Sequence, residues 1–304
     1  MTSGTSDAVL ASAADTSRLV DAVYKRYGGK DGGRGKGGGT DDAPAIAPAP
    51  VAFLLARPPG HHALSKRDEP MGFCFASNAA VAVAHARSAH GCRRAAVVDF
   101  DVHHGNGTER TFEADPDVLV LSCHQFGDGF YPGTGGLTDL GTGHGIGATI
   151  NVPLPAGAGD AAARACWEDV VGPALDRHFG VREGVGGGGD DDTTLGLLVV
   201  SAGFDGHHLD PLGGLAYHEG TFHFWLSRLR SWAVAHSAVR GRMVVVLEGG
   251  YNPDALARSV AAGWMGLLGE AGGGEVPRDA PRAELEPRKA VELALSEVRR
   301  VHGL

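Results

Sequence analysis

Short aliphatic runs recur along the chain, separated by longer mixed segments. Residues 51–55 (VAFLL), 95–100 (AAVVDF), 118–122 (VLVLS), 148–152 (ATINV), 195–201 (LGLLVVS) and 243–247 (MVVVL) have strand length and aliphatic or β-branched composition. Helical patterns lie between several of them. Ser77 can cap the stretch NAAVAVAHARSAHG, which Gly91 closes, and longer helices are predicted over 160–179, 218–236 and 254–268. This alternation predicts an α/β fold: a single domain with a mostly parallel sheet and helices on both faces.

In such sheets ligands bind beyond the carboxyl ends of the strands, and the unusual polar residues of this chain lie there. RPPGHHA (57–63) follows the first strand and DFDVHHGNGT (99–108) ends the second. CHQFGDGFYPGTG (123–135) follows the third, SAGFDGHHLDP (201–211) the fifth and LEGGYN (247–252) the sixth. Five glycine-rich loops carrying histidine pairs, acids and aromatics would converge on one rim.

Composition narrows the function classes. A chain of 304 residues with 43% hydrophobic content can bury a large core. The net charge of −9 argues against direct nucleic-acid binding by phosphate neutralisation. Cys74, Cys92, Cys123 and Cys166 form no CxxC pair and sit in apolar contexts, as buried thiols of a reducing compartment do. No apolar run is long enough for a membrane span, and the N-terminus lacks a secretory pattern. An intracellular protein of the nucleus or cytoplasm is expected, and the Ser/Thr-rich, acid-poor start leaves an organellar destination open.

Two glycine runs, 28–40 (GGKDGGRGKGGGT) and 184–194 (GVGGGGDDDTT), read as flexible surface loops. The first is no phosphate loop, because Lys30 stands where the first glycine is required and Gly37 replaces the Ser/Thr. The expected organisation is therefore a low-complexity, partly disordered segment over 1–50, a catalytic domain over 51–270, and a linker with a terminal helix over 271–304.

Carboxylates at a strand end need a cation, another partner or water. If the second strand continues to His103, then Asp99, Asp101 and His103 point one way. Asp101 and His103 can grip one ion, and Asp205, just past another strand, is the natural third ligand. A catalytic zinc keeps three protein ligands and one open position. Two carboxylates cancel its charge and weaken its effect on bound water, so a separate base is needed, and His61 and His62 offer one.

The motifs RPPGHHA, GFC (72–74), DFDVHHGNGT, GFYPGTG, SAGFD, DPLGG and LEGGYN, in that order over about 51–268, closely resemble the zinc-dependent histone deacetylase family, its class II branch and related bacterial amidohydrolases. The resemblance implies the arginase/deacetylase fold and removal of acetyl groups from lysine side chains or, in some members, from acetylated polyamines. By position, Asp101, His103 and Asp205 match the zinc ligands. His62 matches the general base and acid, with Asn106 behind it where class I members carry Asp. His61 matches its electrostatic neighbour, paired with Asp99, and Tyr251 matches the tyrosine that binds the substrate carbonyl. Gly72, Phe73 and Tyr131 match the lysine tunnel, with Leu212 near its rim. The surroundings of Asp99, Asp101, His103 and Ser122 resemble a potassium site. The implied partners are an acetylated protein, a histone tail included, or an acetylated small amine, with no membrane. His104 has no assigned role, and His207 and His208 are expected as exposed loop histidines.

Only 56 residues precede Arg57, with no HPERP-like motif. One sheet edge and one wall of the site entrance are expected to be absent or rebuilt, and no motif gives Asp7, Asp15, Asp21, Asp41 or Asp42 the role of the acid that holds the substrate backbone. Two other readings stand beside the enzyme: a zinc-binding recognition module, and an arginase-like two-manganese hydrolase suggested by Ser201, Asp205 and Asp210. His104 and Gly105 follow His103 where a second metal would need carboxylates, which counts against the last.

Overall fold

Six strands, β1 (Val51–Leu54), β2 (Arg94–Asp99), β3 (Val118–Gln125), β4 (Thr149–Leu154), β5 (Gly196–Ala202) and β6 (Met243–Leu247), form one sheet in the order β1-β6-β5-β2-β3-β4. Every neighbouring pair is parallel. The computed structural model describes residues 2–25, 50–64, 70–127, 129–180, 195–269 and 286–304. Both predicted glycine loops, Asp41 and Asp42, and the 271–285 part of the C-terminal linker lie outside the described residues.

The strands form because their residues can be buried on both sides. Along β2, Ala95 and Val97 enter one core cluster while Ala96 and Val98 enter the other, and β5 divides its leucines and valines the same way. Each Val or Leu taken out of water contributes on the order of 2 kcal/mol. From β2 the chain adds β3 and β4 outward, then returns to lay β5 on the other flank of β2. The winding thus reverses between β2 and β5, where open parallel sheets form a crevice at their carboxyl ends.

The helices follow their expected signals, with two differences. In α2 (Asn78–His90) the Ser77 hydroxyl accepts the Ala80 N–H at 3.1 Å, and Gly91 ends the helix at φ 67°. His218 caps α6 (Glu219–Ala235) and Asn252 caps α7 (Pro253–Leu268). The helix predicted over 160–179 is instead two, α4 (Asp160–Cys166) and α5 (Gly172–Phe179), joined by a π turn at Trp167–Val171. Pro173 has no N–H for the carbonyl four residues back, and the Gly172 N–H bonds Trp167 O in the wider turn. The short α3 (Asn106–Phe112) follows the loop after β2.

The N-terminal segment is corrected more strongly, whereas the helix expected near the C-terminus is present. Residues expected as low-complexity form a long helix, α1 (Ser3–Lys25), which packs on α2, β1 and β6 and buries Ser12, Thr16, Val20, Val23 and Tyr24. Much of that buried stripe is hydroxyl side chains, which carry no apolar signal. Thr16 returns its hydroxyl to Ser12 O at 2.8 Å, and Ser12 donates to Asn78 Oδ1 at 2.9 Å. At the other end, α8 (Arg288–His302) buries Val291, Leu295 and Val298 in the cluster shared by β2 to β6. Both termini therefore contribute to the core that the sequence boundaries at 50 and 270 placed between them. No helix among the described residues is long and apolar enough to cross a membrane.

Candidate active site

The strand β2 ends at Asp99, so the expected extension to His103 does not occur. Instead the chain turns twice on its own carboxylates: the Asp101 N–H donates to Asp99 Oδ1 at 3.0 Å and the His103 N–H to Asp101 Oδ1 at 2.9 Å. These turns carry Asp101 and His103 to the crevice between β2 and β5. Asp205, beyond β5, meets them there, and its Oδ1 accepts the Val102 N–H at 3.0 Å. His103 Nδ1 lies 3.1 Å from both Asp101 Oδ1 and Asp205 Oδ2.

This trio fits a metal ion. Its ligand atoms all lie within 4.8 Å of one another, and all three side chains are buried. Two glycines keep the space around them open. A Cβ on Gly203 would stand 1.9 Å from Asp101 Oδ2, and one on Gly249 would stand 2.0 Å from Asp205 Oδ2. Burial, followed by the neighbouring charge of Asp101, pushes Asp205 up to about 7. Burial works against a charged His103, yet the two carboxylates outweigh it and hold the ring at about 10. Two carboxylates and one imidazole thus share a buried space in which a divalent cation, taking the place of the proton on His103, would meet opposite charge.

The histidine pair is held by different partners. His61 Nδ1 donates to Asp99 Oδ2 at 2.9 Å, and its Nε2 faces Asp101 Oδ2 at 3.8 Å. Burial opposes its charge, but Asp101, Asp99 and Glu248 raise it well above an ordinary histidine. His62 Nδ1 donates to Asn106 Oδ1 at 2.7 Å. Burial, reinforced by the charge of His61, drives His62 down to about 2. A neutral His62 with Nδ1–H engaged presents the Nε2 lone pair, and the ring lines the adjoining cavity.

That cavity, about 780 Å³, is walled by Phe73, Phe130, Tyr131, Leu212 and Tyr251, with His62 and His103 also exposed to it. Phe130 lies flat against His103, centroids 5.2 Å apart, and Tyr131 stands edge-on to His62 at 5.1 Å. Gly72 and Phe73 form the two-residue turn between Met71 and Cys74, at φ 53° and 63°. Phe73 holds this left-handed conformation without glycine's freedom, and it stays 64% exposed, so it forms a mouth rather than part of the core. A Cβ on Gly72 would stand 2.1 Å from His62 Cδ2.

Tyr251 is fixed through its backbone. Asp210 Oδ2 accepts the N–H groups of Tyr251 at 2.7 Å and Asn252 at 3.2 Å, while its Oδ1 accepts that of Leu212 at 3.0 Å. Burial, then Asp101 and Asp205, raise the Tyr251 phenol, so it keeps its proton. Arg57 lies 5.9 Å over the ring and donates to Glu248 O. Ser201 donates to Glu248 and Asp210 is occupied by backbone, so two of the three groups that suggested a two-manganese site are engaged elsewhere, and only Asp205 joins the trio.

Sequence reasoning missed several of these parts. Glu248, inside LEGGYN, accepts from Gly60 N at 2.7 Å, His61 N at 3.1 Å and Ser201 Oγ at 3.0 Å, which locks the RPPGHHA loop to β5 and β6. Burial pushes it up to about 7. Its signal was a lone acid among glycines at a strand end. His104 contacts Thr134 Oγ1 at 2.8 Å and Glu109 Oε2 at 3.0 Å, tying the aromatic loop to α3. His207, expected exposed, is buried, because its Nδ1 accepts the Leu209 N–H at 3.1 Å in a turn packed on Phe222. His208 is half-buried, with Nδ1 donating to Tyr217 O at 3.1 Å. Asp15 pairs with Arg18 at the surface, and Asp21 with His85 and His90.

Comparisons with known proteins bear on the family and the fold. The model of the histone deacetylase domain matches residues 1–267. The chain is 42% identical over 255 residues to "Histone deacetylase 10, chloroplastic" of Oryza sativa subsp. japonica, covering 84% of this chain and 53% of the relative. It is 41% identical over 211 residues to the "Histone deacetylase-like amidohydrolase" of Pseudomonas aeruginosa, covering 69% and 50%. The chain thus spans about half the length of these relatives. The crystal structure of the HDA15 HD domain superposes with TM-score 0.73 at 31% identity, over 98% of this chain and 68% of that one.

Proposed function

This chain belongs to the histone deacetylase family, and on that premise we propose that it is a zinc-dependent amidohydrolase that removes the acetyl group from acetyl-lysine in histones or other proteins. The observation that carries the reading is the convergence of Asp101, His103 and Asp205 beside an aromatic cavity that also exposes His62 and Tyr251. An acetyl-lysine is a long apolar stem ending in a neutral amide. Phe73 and Tyr131 suit the stem, and the polar groups suit the amide.

When bound at Asp101, His103 and Asp205, zinc supplies Lewis acidity at the acetyl carbonyl and lowers the pKa of water. His62 Nε2, left unprotonated by the Asn106 contact, takes the proton of the attacking water and then returns it to the departing amine. His61, paired with Asp99, supplies neighbouring charge that keeps His62 from holding a proton too early. The Tyr251 hydroxyl donates to the carbonyl oxygen as negative charge gathers there. A potassium ion near Asp99, Asp101, His103 and Ser122 would steady the loop, since β2 and β3 pair Asp99 with Ser122. The four unpaired, buried thiols suit a reducing compartment inside the cell.

An acetylated small amine is the alternative substrate, since an aromatic cavity that suits a lysine stem also suits another alkylamine stem. Acetate release from an acetyl-lysine peptide and from an acetylpolyamine, with and without chelator, tests the proposal. Chelator-sensitive release from the peptide supports it, release from the polyamine alone reassigns the substrate, and no release from either leaves only a zinc-binding recognition module.

A further inference from the structure

A second cluster of ligand-type side chains lies where α1 meets α2, and the chemistry above does not use it. Asp21 of α1 stands between His85 and His90 of α2. The Nε2 atom of each ring is 2.8 Å from the same oxygen, Asp21 Oδ1. One carboxylate oxygen and two ring nitrogens therefore share a focus, all within 4.8 Å of one another.

The rings are held in place before any ligand arrives. His90 lies flat on Tyr24, centroids 4.5 Å apart and 9° between planes, and His85 stands edge-on to His90 at 5.8 Å. Tyr24 is itself buried, donates to Gly196 O at 3.4 Å and carries the Arg242 guanidinium 5.3 Å over its ring. The focus stays reachable, since the side chains of Asp21, His85 and His90 are 35%, 27% and 21% exposed.

Two N–H groups can share the acceptor sites of one carboxylate oxygen, and the same convergence suits a cation at the focus, at which both ring nitrogens would aim lone pairs. Ligands about 2.0–2.1 Å from a tetrahedral ion stand about 3.3 Å apart, so each nitrogen–oxygen pair need open by only about half an ångström. Two imidazoles and one carboxylate are a nitrogen and oxygen set suited to zinc.

We infer that Asp21, His85 and His90 form a second, structural zinc site that clips the N-terminal helix α1 to α2. It is separate from the trio after β2 and β5 and stands whether or not the chain is a deacetylase.

The test uses the full chain, stripped by chelator and reloaded with Zn²⁺. After desalting, the His85→Gln/His90→Gln double variant should retain one equivalent of zinc fewer than the unaltered chain, with acetate release within twofold. Its zinc-dependent rise in unfolding temperature should also shrink. Asp21→Asn should lose the same equivalent, and serves if the double variant fails to fold. In the unaltered chain, zinc should shield His85 and His90 from diethylpyrocarbonate, read by mass spectrometry of the peptides. An equal zinc count in a folded variant, or modification of these rings unaffected by zinc, overturns the inference.

Discussion

Asn106 Oδ1 accepts the His62 Nδ1–H at 2.7 Å, so a neutral carboxamide stands where a carboxylate would give the ring a permanent anion. The contact fixes the tautomer and favours the protonated ring only in part, so burial and the charge of His61 leave His62 low. Asn106→Asp should move the acid limb of the kcat profile to higher pH, because an anion favours the protonated ring. Asn106→Leu removes the acceptor and should lower kcat by about tenfold or more at unchanged zinc content. Profiles of kcat against pH for the three chains decide it, and coincident acid limbs for the unaltered and Asn106→Asp chains would refute the argument.

Tyr251 reaches the cavity from a loop pinned by Asp210, and its role needs only the hydroxyl. Tyr251→Phe is expected to cut kcat on an acetyl-lysine peptide by about a hundredfold, a typical loss for one oxyanion donor. Zinc content and KM should change little. A rise in KM with kcat intact would assign the tyrosine to the tunnel wall instead.

Close approach of backbone to the ligand carboxylates makes a sharp test of the metal trio. Gly203→Ala places a methyl 1.9 Å from Asp101 Oδ2, whereas on Gly136 the nearest atom to an added Cβ is 3.8 Å away. Metal analysis should show the Gly203→Ala chain without zinc at the trio and the Gly136→Ala chain fully loaded. Asp101→Ala should behave like Gly203→Ala. Zinc retained at the trio in Gly203→Ala would mean that the ion sits elsewhere.

His124, fully buried, donates Nε2–H to Gly135 O at 3.0 Å and contacts Ser122 Oγ at 2.9 Å. Burial first, then the charge of His104, pull its pKa from 6.5 to about 3. Between those values the unfolded chain binds a proton that the folded chain refuses, so stability falls as pH drops from about 6.5 towards about 3. In His124→Gln that part of the acid slope disappears. Unfolding temperatures of both chains across this window check it, and parallel curves would show that His124 adds nothing to the slope.

Much of this architecture can be read from the residues. The runs at 243–247 and 118–122 announce strands because parallel sheets bury both faces, and the polar loops after them announce the rim. Asp101, His103 and Asp205 could be paired because each follows a strand. What stays illegible is fixed by contacts distant in sequence. Ser12 and Thr16 look like surface residues until Asn78 and the sheet cover them. His207 reads as a loop residue until the chain folds over it, and Glu248 is one acid among glycines until Gly60 and His61 turn towards it. The π turn at Trp167–Val171 leaves a trace only in Pro173.

The reversal of winding between β2 and β5 gives the metal trio a role during assembly. Asp101 and His103 come from the half of the sheet built outward through β3 and β4, and Asp205 comes from the strand that returns to the other flank of β2. A chain emerging from the ribosome can complete the first half and still own only two of the three ligands. A zinc ion held by all three would bind tightly only once β5 has docked, and would then act as a latch between halves joined across more than a hundred residues.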